Sequence, residues 1–257
     1  MKRRSIFQNS FEMSRYFYDF HIHSCLSPCG DNDMTPNNIA GMAKLCGLNI
    51  AALTDHNSVL NTPAFFEAAR RNSLIPVAGM ELTTAEDIHI VCLFETLRQA
   101  SEFGEEVGKR RTLIRNRTEI FGEQLILDGN DEITGSEEFL LSNATSITVD
   151  ETPELVERYG GICYPAHVDR EANGIIATLG TFPENPFFGF AEFNDEANIE
   201  EYRKKYPVLA EKPVLVSSDA HYLENMRDAK HYFELEGESE TEIRKNLFIK
   251  LRAGLNK

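Results

Sequence analysis

Long apolar runs, positive charges and paired cysteines are all scarce in this sequence. No run of about 18 or more apolar residues occurs, which excludes a conventional transmembrane helix. Lys and Arg number 26 against 41 Asp and Glu, giving a net charge of −15. Because an extended nucleic-acid groove needs many cations to neutralise phosphates, we expect no such groove here. A small phosphorylated substrate is compatible with this acidity, since bound metal ions would supply local positive charge.

The five cysteines form no regular framework. Their odd number and irregular spacing are typical of a reducing cytosol, and the basic start of the chain lacks the apolar segment of a secretory signal. We therefore expect a cytoplasmic protein with an N-terminal extension before residue 15. Cys25 and Cys29 are spaced like a zinc-binding pair, but no second pair completes a tetrahedral set. We predict that both are loop thiols and keep Cys29 as a minor candidate for a metal ligand.

The order of the apolar runs predicts an α/β domain. With 42% hydrophobic residues the chain can build one large core, and we expect a single domain over residues 15–257. Strands and helices alternate through residue 78, which is typical of parallel sheets with right-handed crossovers. The predicted strands cover residues 17–23, 48–53, 74–78, 88–94, 161–167, 188–193 and 213–217. The predicted helices outside the middle segment cover residues 35–47, 63–71 and 238–255.

Residues 97–158 interrupt this alternation. The segment is charged and predicts helices near 97–127, 136–142 and 150–158, so we expect a helical cap inserted into the domain. Five basic residues lie within positions 109–117 of this otherwise acidic chain. They form either a solvated helix face, the more common case, or a source of cations for substrate phosphate.

Polar residues recur at the ends of the predicted strands, where α/β folds place their active sites. The set comprises His21, His23, Asp55, His56, Glu81, His89, His167, Asp219 and His221. Six of the seven histidines in the chain belong to it. Imidazoles mixed with carboxylates favour zinc, manganese or iron, and so many groups exceed the needs of one ion. The sequence therefore predicts a site for two or three divalent ions.

Six short motifs in this set resemble those of the PHP family, which is named for polymerases and histidinol phosphatases. They are DFHIHS (19–24), TDHN (54–57), GME (79–81), IHIV (88–91), AHVDR (166–170) and SDAH (218–221), in the order that the family shows. The resemblance extends over most of the chain. It implies a distorted (β/α)7 barrel similar to a TIM barrel, with a trinuclear metal site and phosphoesterase activity.

The resemblance also implies which residues bind each ion. The family positions are His21, His23, Glu81 and Asp219 for the first ion, Glu81, His89 and His167 for the second, and His56 and His221 for the third. The third ion needs one more ligand from the loop after the first strand. Position in that loop favours Asp31, with Cys29 and Asp33 as alternatives.

The remaining polar residues receive supporting roles from the same resemblance. Arg170 holds the position of an arginine suited to binding substrate phosphate. Asp19, Asp55, Glu192 and Asn194 are suited to orienting imidazoles from behind. The general acid for the leaving oxygen is open between Asp55, His221 and a metal-bound water.

The expected reaction is hydrolysis of a small phosphomonoester by a hydroxide that bridges two metal ions. A nucleotide or nucleoside bisphosphate is the favoured substrate, with histidinol phosphate and the ends of short oligonucleotides as alternatives. A metal-stabilised regulatory module without catalysis is the non-enzyme alternative. An amidohydrolase would usually need a carboxylated lysine as the bridging group, whereas Glu81 takes that role here.

Overall fold

The computed structural model describes residues 13–254. The strands are β1 (Ser14–Asp19), β2 (Ile50–Leu53), β3 (Ile75–Thr83), β4 (His89–Phe94), β5 (Leu125–Leu127), β6 (Ile133–Ser136), β7 (Ile162–Pro165), β8 (Ala191–Phe193), β9 (Val214–Val216) and β10 (Tyr232–Leu235). The helices are α1 (Pro36–Leu45), α2 (Thr62–Arg71), α3 (Leu97–Arg110), α4 (Thr118–Phe121), α5 (Thr152–Arg158), α6 (Ile175–Leu179), α7 (Ile199–Lys205) and α8 (Glu240–Gly254). Most of the predicted N-terminal extension and residue 255, where the last helix was predicted to end, lie outside the described residues.

A curled sheet of six strands organises the fold. Its order is β10-β1-β2-β3-β4-β7, and β1, β2 and β3 are parallel, as predicted. β4 turns back antiparallel to β3, and β7 and β10 are also antiparallel to their neighbours. β8 and β9 form a separate parallel pair. The α/β class is confirmed: the described residues form a curled six-strand half-barrel sheet, and the distorted (β/α)7 barrel stays a prediction.

The two faces of the sheet pack against different helices. Ala51 and Leu53 of β2 join an outer cluster with α1 and α2. Ile50 and Ala52 of the same strand join an inner cluster with α8. Successive side chains of a strand point to opposite faces, so a fully apolar strand such as β2 can supply both clusters. The C-terminal helix α8 therefore fills the hollow of the half-barrel.

The chain segment around His21 departs from the predicted strand. β1 starts and ends earlier than predicted, at Ser14 and Asp19. Phe20 packs in the inner cluster and Ile22 in the outer one, so strict alternation of faces breaks between them. A single parallel bridge joins Ile22 to Ala220, just beyond β9. This bridge brings the end of β1 next to the end of β9.

The middle segment is less helical than predicted. α3 ends at Arg110, where Arg111 takes an extended backbone and bridges to Thr145. The predicted helix over 136–142 is wrong. Phe139 instead forms an antiparallel bridge with Arg115, because pairing with a distant strand outweighs the local helical preference. The predicted helix at 150–158 is confirmed as α5.

The basic residues of 109–117 contact acidic residues of the same segment. Arg110 pairs with Glu151, and Arg111 Nη1 lies 3.3 Å from Glu137 Oε2. These contacts favour the structural interpretation of the basic run over a role in binding phosphate. Among the described helices, none is both long and apolar enough to cross a membrane.

Candidate metal centre

Glu81 lies at the centre of a cage of imidazoles. β3 places its side chain on the same face as Val77 of the inner cluster, so the carboxylate enters the mouth of the half-barrel. Gly79 precedes it on that face, and a Cβ there would lie 2.6 Å from Thr54 Cγ2. Glycine therefore allows β2 and β3 to approach closely just below the cage.

Five ring nitrogens face the two oxygens of Glu81. Oε1 lies 2.9 Å from His89 Nδ1 and 3.2 Å from both His21 Nε2 and His167 Nε2. Oε2 lies 3.0 Å from His56 Nδ1 and 3.3 Å from His23 Nε2. All six residues are buried. The structure thus brings together groups that the sequence placed at the ends of five separate predicted strands.

Asp219 forms the second carboxylate of the cage. Its Oδ1 lies 3.3 Å from His21 Nε2 and 3.2 Å from His23 Nε2. These two ring nitrogens are themselves only 3.1 Å apart. Asp219 has a backbone φ of +51°, which turns its side chain back toward the cage after β9. His167, at φ +28°, makes a similar turn after β7.

Three imidazoles are fixed by a partner on their far nitrogen. His21 Nδ1 lies 2.7 Å from Glu192 Oε1, and His23 Nδ1 lies 3.0 Å from Ser27 Oγ. His221 Nδ1 lies 2.8 Å from the carbonyl oxygen of Asp219. Such partners set the ring tautomer and leave the other nitrogen free to bind a metal. Glu192 therefore has the orienting position that was predicted for it.

Asp55 organises the loop after β1. Its Oδ1 accepts hydrogen bonds from the backbone N–H of Ser24 and from Ser27 Oγ, both at 2.7 Å, and its Oδ2 accepts one from Ser24 Oγ at 2.7 Å. Since both oxygens are engaged by this loop, the geometry favours positioning over the general-acid role that was also considered. The contribution of Ser24 and Ser27 was missed. The only signal in the sequence was a pair of serines one and four residues beyond the His-x-His pair.

Asp19 and Asn194 join backbones rather than imidazoles. Asp19 Oδ1 accepts from the backbone N–H of His21 at 3.2 Å and of Ser218 at 3.1 Å. Asn194 Nδ2 donates to the carbonyl of Ser218 at 2.9 Å. Both residues therefore hold the strand ends in place around the cage, which differs from the imidazole contacts predicted for them.

Cys29, and not Asp31, points at the remaining imidazoles. Ligand atoms of His23, Cys29, His56 and His221 all lie within 4.8 Å of one another. The Asp31 carboxylate instead accepts a hydrogen bond from the backbone N–H of Asp33 at 2.9 Å. The backbone N–H of Asp31 donates to the carbonyl of His221 at 2.9 Å. The structure thus places the thiol where the sequence favoured a carboxylate.

Arg170 lies at the rim of the cage. Its guanidinium contacts Asp219 Oδ2, and its side chain is 45% exposed. The side chain of His221 is 20% exposed and Cys29 is also exposed, so the cage opens on this side. A substrate entering here would meet the arginine first.

The charges in the cage lower the pKa of several acidic groups, of which Glu81 and Cys29 are two. Burial would raise the pKa of Glu81, but the charges of the surrounding imidazoles hold it well below its usual range. Desolvation would likewise raise the pKa of the Cys29 thiol, whereas the neighbouring His56 and His221 lower it to about 5. Both groups therefore favour the anionic form that binds metal ions.

The donor set fits divalent metal ions. His167 Nδ1 is buried and makes no hydrogen bond among the described residues. Asp219 Oδ1 and His56 Nδ1 are also buried, and they face other cage groups at 3.0–3.3 Å without hydrogen-bond geometry. Leaving such groups unpaired in a protein interior costs about 1–3 kcal/mol each. Ring nitrogens of two histidines 3.1 Å apart match the spacing of neighbouring ligands on one ion with bonds of about 2.0–2.1 Å.

Comparison with known proteins finds a family match within the first half of the chain. Residues 19–120 match the model of the PHP domain. The match confirms the resemblance found in the motifs, since Asp19 through His89 fall inside it. No curated protein sequence matches the chain.

Solved structures that resemble this protein show the same fold at low identity. The lesion-specific endonuclease Q of Pyrococcus furiosus is 20% identical with a TM-score of 0.59, and the match covers 90% of this chain and 55% of that one. A putative metal-dependent phosphoesterase of Bifidobacterium adolescentis is 16% identical with a TM-score of 0.55, covering 92% and 97%. PsfC of Pseudomonas syringae is 16% identical with a TM-score of 0.55, covering 95% and 97%. This chain thus spans about half the length of endonuclease Q.

Proposed function

We propose that this protein is a metal-dependent phosphoesterase, a phosphoric ester hydrolase. The observation that carries the proposal is the cage itself, in which two buried carboxylates face converging ring nitrogens at 2.9–3.3 Å. Mixed imidazole and carboxylate ligands suit zinc, manganese or iron. Clusters of such ions, when bound, activate water near neutral pH and place positive charge on phosphoryl oxygens.

The cage residues divide into sets around Glu81. We assign His21, His23, Glu81 and Asp219 to one ion, Glu81, His89 and His167 to a second, and His56 and His221 to a third. In this assignment Glu81 would contribute to two of the ions. Glu192 and Ser27 hold His21 and His23 so that Nε2 faces inward.

Arg170 is the residue we assign to the substrate. Its guanidinium is anchored by Asp219 and partly exposed at the mouth of the cage. A planar guanidinium can bind two phosphoryl oxygens at once, which would orient the ester for attack. We leave the general acid for the leaving oxygen between His221 and water at the open rim.

The favoured substrate is a small phosphomonoester, such as a nucleotide or a nucleoside bisphosphate. The net charge of −15 opposes binding of a long polyanion, and the basic run at 109–117 contacts acidic residues of its own segment. Cleavage of DNA is the competing reaction, because the fold resembles that of endonuclease Q.

A substrate panel tests this proposal. Protein loaded with manganese or zinc would be assayed on an aryl phosphate, mononucleotides, 3′,5′-bisphosphates, histidinol phosphate, short oligonucleotides and duplex DNA with an abasic site. We expect metal-dependent release of phosphate from one of the small monoesters. Cleavage of only the duplex would reassign the protein as a nuclease. No turnover of any ester by fully loaded protein would overturn the phosphoesterase assignment.

Replacing Glu81 by Gln tests the role of the central carboxylate. We expect metal affinity to fall by at least roughly 10- to 100-fold, the usual cost of losing a residue that only supports a metal ligand. Phosphatase activity should be lost in parallel. Metal analysis and the aryl phosphate assay would measure both. Glu67→Gln on the exposed side of α2 is the matched control and should behave as wild type. Near-full activity of a folded Glu81→Gln protein would contradict the assignment.

A further inference from the structure

We propose that the Cys29 thiolate is the loop ligand that joins His56 and His221 at the third ion. This inference rests on the proposed metal-dependent function and defines one of its ions. The thiol and the ligand atoms of His23, His56 and His221 all lie within 4.8 Å of one another. A tetrahedral ion with bonds of about 2.0–2.3 Å needs separations of roughly 3.3–3.8 Å, which small side-chain rotations provide.

The loop between β1 and α1 is built to present Cys29. Two successive turns are closed by the N–H of Ser27 to the carbonyl of Ser24 at 3.0 Å and by the N–H of Gly30 to the carbonyl of Ser27 at 2.9 Å. Asp55 anchors both serines through its carboxylate. The backbone N–H of Asp31 bonds to the carbonyl of His221, which ties the far end of the loop to another of the four residues.

The surrounding groups also point to a ligand at this place. Ser27 Oγ occupies the Nδ1 side of His23 and contacts the backbone N–H of His56 at 3.2 Å, so the loop orients two of the imidazoles that it faces. His56 Nδ1 is buried and lies 3.0 Å from Glu81 Oε2, but it makes no hydrogen bond among the described residues. Cys29 is exposed, so it does not contribute to the hydrophobic core. A thiolate held against three imidazoles is an effective ligand for a borderline metal such as zinc.

A thiolate in the site changes which metal is preferred. Sulfur ligands select zinc, cobalt and iron over manganese and magnesium, which prefer oxygen. A carboxylate from Asp31 would have the opposite effect. We therefore expect this site to discriminate against manganese even where the Glu81 side of the cage accepts it.

Cobalt substitution tests the thiolate directly. The full chain would be freed of metal with a chelator and titrated with Co²⁺ while the near-ultraviolet absorption is recorded. We expect a thiolate-to-cobalt charge-transfer band that is lost in Cys29→Ser and kept in Cys46→Ser, a half-buried thiol at the end of α1. Absence of the band in wild type, or its survival in Cys29→Ser, would overturn the proposal.

Two further variants separate the thiol from its neighbours. Cys29→Asp should keep the number of bound ions, lose the band and shift competition from zinc toward manganese. Asp31→Asn retains an oxygen to accept the N–H of Asp33 and should keep both the band and the metal content. Loss of one ion in Asp31→Asn but not in Cys29→Ser would assign the ligand to the carboxylate instead.

These readouts distinguish this inference from the proposed function. A charge-transfer band without turnover of any phosphoester would support Cys29 as a ligand while overturning the phosphoesterase assignment. Turnover without a band would leave the phosphoesterase standing and remove Cys29 from the site.

Discussion

Ser27 makes three polar contacts at the metal centre with one small side chain. Its hydroxyl donates to Asp55 at 2.7 Å and lies 3.0 Å from His23 Nδ1 and 3.2 Å from the backbone nitrogen of His56. A hydroxyl has one donor and two acceptor sites, so this geometry uses all of them. The positions of His23, His56 and the loop after β1 therefore depend on one serine. In the sequence this serine resembles an ordinary turn residue.

Arg170 allows the contribution of one side chain to substrate binding to be tested. Replacing it by Ala should leave the metal content unchanged, because Arg170 contacts Asp219 Oδ2 whereas Oδ1 is the oxygen that faces the imidazoles. Loss of a hydrogen bond to a charged group of about 1.5–3 kcal/mol should lower kcat/KM by roughly 10- to 150-fold. Steady-state kinetics on the best substrate of the panel would measure the change.

The control for this variant is Arg98→Ala. Arg98 lies on the exposed side of α3 with its side chain 82% exposed, so its removal should leave kcat/KM unchanged. Arg170→Lys should recover only part of the loss, because an ammonium lacks the planar fork of a guanidinium. Wild-type kcat/KM in Arg170→Ala would remove the residue from the substrate site.

At the scale of elements, the loop from Ser24 to Asp33 decides the geometry of the exposed side of the cage. Gly30 is essential to it, since a Cβ there would lie 2.3 Å from the carbonyl oxygen of Ser24. That contact is with backbone, which cannot rotate away. The close turn around Cys29 therefore requires glycine at this position.

Gly30→Ala should open this turn and move Cys29 away from the three imidazoles. We expect the cobalt–thiolate band to weaken strongly, while the ions on the Glu81 side remain bound. Gly41→Ala in α1 is the matched control, because nothing lies within 4 Å of a Cβ at Gly41. That change should be neutral or stabilise the protein by up to about 1 kcal/mol. An intact band in Gly30→Ala would show that the turn is not needed to place the thiol.

The sequence predicts those elements whose signals are local. Thr35 caps α1 as expected, accepting from the N–H of Asn38 at 3.3 Å, and Pro36 starts the helix. β2 is equally clear as a short apolar run ending in polar residues. The cage histidines were also found, because each follows or occupies an apolar strand.

Other features depend on partners far away in the chain. The residues around Phe139 have helical preference but pair with Arg115 instead. β10 was missed because it is a short, half-exposed edge strand that exists by pairing with β1. The choice of Cys29 over Asp31 depends on the two turns of the loop and on the contact of Asp31 with the carbonyl of His221. The prediction of Asp31 from its position in the loop before α1 takes neither constraint into account.

At the scale of the whole molecule, the cage closes a half-barrel that would otherwise be open at its mouth. α8 fills the hollow from within, where Leu247, Phe248 and Leu251 are fully buried. At the mouth, strand ends meet through polar side chains: Asp19 joins the end of β1 to Ser218 beyond β9, and Glu81 of β3 faces imidazoles from several segments. Metal ions bound there would crosslink these segments in the folded state alone.

Metal removal should therefore lower the thermal stability of the whole domain. A ligand present at about 100 times its Kd stabilises a fold by about 2.7 kcal/mol, which in a chain of this size is a shift in Tm of roughly 5–10 °C per site. We expect a chelator to lower Tm by at least this amount and re-addition of zinc to restore it, as measured by calorimetry. Glu81→Gln should start from a lower Tm and respond less to the chelator, because its central ligand is already lost. The protein would first be shown to bind metal. If its wild-type Tm is then the same with and without chelator, the ions do not stabilise the fold by crosslinking the strand ends.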